Sequence, residues 1–282
     1  MNILITGAAG FIGYHCSKKI LESKNQFKVY GIDNLNSYYD INLKKNRLKI
    51  LKNYKNFNFT KIDISNNQKL EKLFKSLRIS VVINLAASAG VRYSLNHPEK
   101  YLKDNINGFF NILTLSNKYK IKHLIFASSS SVYGNSSKFP LSESNETSKP
   151  LSFYAASKKC NEVMAHSFSN INKLACTGLR FFTVYGEYGR PDMALYKFSN
   201  NIMKNKKVDL FNRGNHIRDF TYIDDVVDQI ILLINKPSKN KIPYEIFNIA
   251  SSKPIKLKKY INLIELSLQK KAKFKLLKKQ PG

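Results

Sequence analysis

The sequence predicts an α/β fold, a doubly wound parallel sheet followed by a smaller C-terminal α/β part. Three observations predict it. Short apolar runs alternate with amphipathic stretches as far as residue 180. A glycine-rich turn, Gly7-Ala8-Ala9-Gly10-Phe11-Ile12-Gly13, joins the first run to the first amphipathic stretch. Beyond Phe181 the alternation loosens into segments rich in Tyr, Gly and Arg.

In chain order, residues 2–6 are continuously apolar enough for a buried parallel strand, and 11–21 carry apolar residues at helical spacing. Residues 28–32 form a second strand that ends in Asp33. Later strands fall at 57–62, 81–85, 123–127 and 175–181, separated by helices at 68–77, 99–118 and 153–168. After them come a helix at 194–204, a strand at 208–211, a helix at 224–234, a strand at 244–249, a helix at 257–268 and a strand at 274–277. The chain therefore divides into a dinucleotide-binding domain, 1–180, and a substrate domain, 181–282, packed closely because no low-complexity linker separates them.

The glycine turn follows a strand and opens a helix, a context in which glycines let the backbone approach a pyrophosphate seated at the helix N-terminus. Asp33 stands at the end of the second strand, where a carboxylate accepts hydrogen bonds from an adenosine ribose and repels a 2′-phosphate. NAD rather than NADP is the expected cofactor.

Tyr154 and Lys158 lie four residues apart on a helix and so share a face. A tyrosine is a poor base at neutral pH unless a nearby cation favours its phenolate, and Lys158 is the expected source of that charge. The run Ser128-Ser129-Ser130-Ser131 follows a strand and offers hydroxyls to a substrate oxygen that alternates between alcohol and ketone.

The chain carries 47 Lys and Arg against 19 Asp and Glu, a net charge of +28. These lysines are spread over 44–45, 118–122, 206–207 and 270–279 without a nucleic-acid motif, which reads as a solvated surface and not as a specific nucleic-acid site. No apolar run reaches the length of a membrane span, and the first strand begins at residue 2, leaving no room for a signal peptide. The expected compartment is the cytoplasm. Cys16, Cys160 and Cys176 are scattered, so neither a disulfide framework nor a metal site is expected.

Three motifs carry a resemblance that spans nearly the whole chain. They are Leu85-Ala86-Ala87-Ser88-Ala89-Gly90-Val91-Arg92-Tyr93-Ser94, residues 128–134, and Gly178-Leu179-Arg180-Phe181-Phe182-Thr183-Val184-Tyr185-Gly186 with Gly189-Arg190-Pro191-Asp192-Met193-Ala194. The sequence resembles the extended short-chain dehydrogenase/reductases, with their Rossmann-like domain, and within them the NAD-dependent nucleotide-sugar epimerases of the UDP-glucuronate 4-epimerase type. The resemblance implies 4-epimerisation of UDP-glucuronate to UDP-galacturonate through a 4-keto sugar. It implies Ser129, Tyr154 and Lys158 as catalytic residues. Gly7, Gly10, Phe11, Ile12, Gly13, Asp33, Asn34, Asp63, Ile64, Leu85, Ala86, Ala87 and Asn105 match positions around the dinucleotide, together with Tyr154 and Lys158.

On the substrate side, which also includes Arg92 and Ser129, the residues Ser130, Ser131, Thr183 and Arg190 match a pocket for the sugar's C6 carboxylate, and Phe211 and Arg218 match contacts to uracil and to the pyrophosphate. A guanidinium beside hydroxyls suits a carboxylate, the alternative being that Arg190 pairs with Asp192. Homodimerisation through residues 99–118 and 153–168 and a role in surface-polysaccharide supply are also implied.

The sequence departs from the family in Asn84, where His is common, and Ser88, where Gln is frequent. It stops at Gln280-Pro281-Gly282, where the family continues, so an incomplete C-terminal domain is expected. A UDP-glucose/UDP-galactose 4-epimerase remains the nearest alternative, ahead of a 4,6-dehydratase or uronate decarboxylase. A noncatalytic dinucleotide-sensing module is the alternative outside enzymes.

Overall fold

Ile3 and Ile5 of the first strand fall in one apolar cluster and Leu4, between them, in another. Successive strand side chains point to opposite faces, so a strand that is apolar throughout needs cover on both sides. The computed structural model describes residues 1–23, 27–136 and 139–277, and there the covering layers are helical. In chain order the first half runs β1 (Asn2–Thr6), α1 (Phe11–Glu22), β2 (Lys28–Asp33), α2 (Ile41–Leu51), β3 (Phe57–Lys61), α3 (Asn67–Ser76), β4 (Val81–Asn84), α4 (Val91–Asn96) and α5 (Pro98–Tyr101). A π-helical turn, Leu102–Asn107, leads into α6 (Gly108–Lys118), and β5 (His123–Ser129), a 3₁₀ turn (Ser130–Tyr133) and α7 (Phe153–Asn172) follow. Then come β6 (Cys176–Phe181), β7 (Thr183–Tyr185), α8 (Ala194–Met203), β8 (Lys207–Phe211), β9 (Ile217–Arg218), β10 (Phe220–Tyr222) and α9 (Ile223–Leu233). The last elements are β11 (Tyr244–Ile249), β12 (Ile255–Lys256), α10 (Leu257–Leu268) and β13 (Lys273–Leu277).

Seven strands form one sheet in the order β11-β6-β5-β4-β1-β2-β3, parallel at each pairing. The chain leaves β1 toward β2 and β3 and returns on the other side to β4. The gap above β1 and β4 is thus the switch point, where ligands of such sheets bind. Thr6 closes its floor, donating from Oγ1 to Asn84 Oδ1 at 2.7 Å and accepting from the Ala86 backbone N–H at 3.0 Å.

The doubly wound sheet is the one the sequence predicts, and three local features differ from expectation. Helix α2 was not anticipated. The helix expected over 99–118 is broken into α5, the π-helical turn and α6, because Asp104 and Asn105 turn inward to bond Ser88. The expected division at residue 181 is crossed: β11 pairs with β6 in the main sheet, and α9 packs on α1 in the first apolar cluster. What stands apart is a small group of α8, β8, α10 and β13 around Ile202, Val208, Tyr260 and Ile264. The terminal Gln280-Pro281-Gly282, and Lys278 and Lys279 of the 270–279 lysine run, lie outside the described residues.

Candidate active site

The carboxyl ends of β1, β2, β4 and β5 open into one cleft of about 1860 Å³. Gly7, Gly10, Phe11, Ile12, Gly13, Asp33, Asn34, Asp63, Ile64, Leu85, Ala86 and Ala87 line one end, and Arg92, Ser129, Ser130, Ser131, Tyr154, Lys158, Thr183, Arg190, Phe211 and Arg218 the remainder. Sixty or more residues of sequence separate many of these positions, and the sheet brings them together.

The first end fits a dinucleotide. Gly7 has φ +70°, and a Cβ on it would lie 2.8 Å from the Ala86 nitrogen; a Cβ on Gly13 would lie 2.1 Å from the Gly7 carbonyl oxygen. Only glycine allows this closeness. Helix α1 starts behind Gly10 with no side-chain cap, so its first amides remain open to an anion. Asp33 is 7% exposed and accepts from the Leu35 N–H at 2.8 Å. Burial pushes its carboxyl above the ordinary range, against the pull of Lys44. Ribose hydroxyls would supply the donors that a buried carboxylate needs. Burial would also raise Asp63, but bonds from Asn34 Nδ2, at 3.0 Å, and from Ser65 hold it below its usual value. Asn105 is a correction. Its amide is engaged within the protein, accepting from the Ser88 N–H at 2.7 Å and donating to the Ser88 carbonyl and to Ser157 Oγ, each at 3.0 Å. It braces the cleft wall from behind.

At the reacting end, Ser152 caps α7, its Oγ accepting from the Ala155 N–H at 3.1 Å, and the helix then presents Tyr154 and Lys158 on one face. Ser129 ends β5 and receives the N–H and hydroxyl of Ser131 at 3.2 and 2.9 Å. Burial raises the Tyr154 phenol, while a hydrogen bond with Ser129 and the charge of Arg190 pull it down. Lys158, expected to favour the phenolate, is buried against strand β5. Its ammonium donates to the Ala127 carbonyl at 2.8 Å, and burial pushes it down to about 8. The Arg190 charge favours the phenolate as well. Ser128 also turns away, donating to Glu162 Oε1 at 2.6 Å within the buried Glu162–Arg180 pair.

Arg190 takes the alternative foreseen for it: Nε meets Asp192 Oδ1 at 3.0 Å and Nη2 meets Oδ2 at 2.5 Å, while Tyr38 donates to the same Oδ2 at 3.1 Å. The pair occupies the Nε edge of the guanidinium. Across the cleft, Arg92 lies over the Phe211 ring at 4.8 Å, so these two substrate-side residues touch each other. Sequence reasoning missed Tyr38 and Arg47 and read Lys44 as solvated surface, whereas Lys44 is buried; all three lie between β2 and β3. Lys44 Nζ donates to the Asn36 carbonyl and Oδ1, at 2.9 and 2.8 Å, and so shapes the loop after Asp33.

Comparison with known proteins places these features in context. A model of the NAD dependent epimerase/dehydratase family matches residues 3–250. Protein CapI of Staphylococcus aureus is 47% identical, the match covering 100% of this chain and 88% of that protein. A probable UDP-glucuronate 4-epimerase of Rhizobium meliloti (strain 1021) is 37% identical over 100% of this chain and 86% of its own. The crystal structure of UDP-glucuronic acid 4-epimerase from Bacillus cereus, in complex with UDP-glucuronic acid and NAD, superposes with a TM-score of 0.93 at 34% identity, covering 100% of this chain and 88% of that one.

Proposed function

Because this chain belongs to the NAD dependent epimerase/dehydratase family, we propose that it is a UDP-glucuronate 4-epimerase, interconverting UDP-glucuronate and UDP-galacturonate. The observation that carries the reading is the meeting, in one cleft, of a dinucleotide cradle, the Ser129–Tyr154 pair and the Arg190 guanidinium. NAD, held by the 7–13 turn and Asp33, would supply a reversible hydride acceptor for sugar C4, so no outside reductant would be consumed.

Tyr154, as phenolate, takes the C4 hydroxyl proton, and returns it when the 4-keto sugar is reduced on its other face. Ser129 bonds both the phenol and the reacting oxygen, which keeps them within proton-transfer reach. Lys158, fixed on the Ala127 carbonyl, is placed to bond the nicotinamide ribose. Phe211, Arg92 and Arg218 hold the nucleotide while the keto sugar turns over. A 4-keto uronate is a β-keto acid and loses carbon dioxide readily, so Ser130, Ser131, Thr183 and Arg190 would protect the carboxylate as well as select it.

The bidentate Arg190–Asp192 pair favours the neutral-sugar reading, UDP-glucose/UDP-galactose 4-epimerisation, because one edge of the selecting cation is already neutralised. Incubation with UDP-glucuronate or UDP-glucose, with anomeric protons followed by NMR, separates the two. UDP-galacturonate without pentose supports the uronate reading; turnover of UDP-glucose alone discards it. We place the active unit in the cytoplasm as a homodimer joined through α6 and α7, supplying uronate for surface polysaccharide.

A further inference from the structure

Arg47 is fully buried, yet its hydrogen-bond acceptors among the described residues are uncharged. Nη1 donates to the Ala9 carbonyl and to the Tyr39 hydroxyl, both at 2.8 Å, Nη2 donates to the Tyr188 carbonyl at 2.5 Å, and Nε is buried without a partner. Among the described residues no carboxylate bonds this buried cation, although the Asp33 charge acts on it, so the arrangement persists only where the surrounding structure offsets the cost of burial. Its two carbonyls identify what it joins. Ala9 belongs to the dinucleotide turn, and Tyr188 to the loop that carries Arg190.

That loop is strained. Tyr188 sits at φ +52°, a conformation unusual for a bulky residue, although its side chain is 41% exposed. The strain aims its carbonyl inward at Arg47. The preceding carbonyl, of Glu187, is held at 2.9 Å by His15 Nε2 on α1. Gly186, at φ +145°, and Gly189 close the turn, with the Gly189 N–H donating to the Gly186 carbonyl at 3.2 Å. Two residues beyond Tyr188 the chain reaches Arg190.

We propose that Arg47 is a positioning residue that ties the dinucleotide turn to the 186–190 loop and thereby sets Arg190 for the substrate carboxylate. The inference rests on the uronate reading of Arg190, and the test keeps the two apart. Calorimetry on NAD-loaded protein gives Kd for UDP and for UDP-glucuronate, and their ratio measures what the sugar acid adds.

In Arg47→Lys, whose single ammonium cannot span both carbonyls and the phenol, UDP binding should stay within about twofold while the ratio falls about tenfold. Two surface variants guard against a folding defect. Tyr188→Gly tolerates the positive φ and Tyr188→Val resists it, and both remove the ring that packs on Tyr14 at 5.3 Å. Only Tyr188→Val should lower the ratio. An unchanged ratio in Arg47→Lys, equal loss for UDP and UDP-glucuronate, or equal behaviour of the two Tyr188 variants would overturn the proposal. A wild-type protein that binds UDP-glucuronate no better than UDP would instead overturn the uronate reading on which it rests.

Discussion

At the scale of single residues, the base is governed by burial and by two neighbours that oppose its effect. Burial works against the Tyr154 phenolate, and Ser129 and Arg190 work for it. Removing the Arg190 charge should raise the phenol's pKa, so the acidic limb of the kcat–pH profile in Arg190→Gln should move to higher pH; a limb that stays in place would detach Arg190 from the base. Lys158 is the complementary case. Its ammonium is pushed from 10.5 to about 8 by burial, so at neutral pH the folded state holds a proton under penalty. Above pH 8 the folded state releases that proton while the unfolded chain keeps it, and stability from this group rises with pH until the unfolded value is reached. Lys158→Met should therefore stabilise the cofactor-free protein at pH 7 by about 3 kcal/mol, less about 1 kcal/mol for the Ala127 bond it loses, with the gain shrinking between pH 8 and 10. Thermal melts across that range would test it, and a variant less stable at pH 7 would contradict it. Tyr154, Lys158 and Ser129 were legible in the sequence because their spacing and strand-end position signal chemistry. The pairing of Arg190 with Asp192, two residues on, was legible as an alternative, whereas the commitment of Asn105 to Ser88 was not, since it depends on how the turn after β4 meets the π-helical turn.

Among elements, the glycine turn and its helix were the clearest to read and make the sharpest prediction. A methyl group on Gly13 has nowhere to go beside the Gly7 carbonyl, so Gly13→Ala should purify without NAD and with activity below about 1% of wild type, the turn being unable to close. NAD content after denaturation is the measurement, and full occupancy would refute the turn's role. Helix α2 shows why some elements escape a sequence reading. Its buried positions are Lys44, Arg47, Leu48 and Leu51, the i, i+3, i+4, i+7 pattern of an inward face, but two of the four are basic. Hydrophobic periodicity is therefore faint. Asp40, whose side chain accepts from the Asn42 N–H at 2.8 Å, was the available start signal.

For the whole molecule, the alternation of strands and helices fixed the parallel sheet, while the return of β11 to its edge lay beyond local pattern because it pairs residues far apart in sequence. The proposed dimer rests on helices α6 and α7, where Phe110 is 48% and Val163 57% exposed. A Phe110→Arg/Val163→Arg pair should run as a monomer by light scattering, whereas Leu232→Arg, on α9, should leave the assembly unchanged. Equal behaviour of the two would place the interface elsewhere. The proposed epimerisation requires the hydride removed at C4 to return to the same carbon. UDP-glucuronate carrying deuterium at C4, incubated with the purified protein, tests it most directly. UDP-galacturonate with the deuterium still at C4 is the expected product; deuterium lost to solvent, or no galacto product, would rule out the proposed epimerisation.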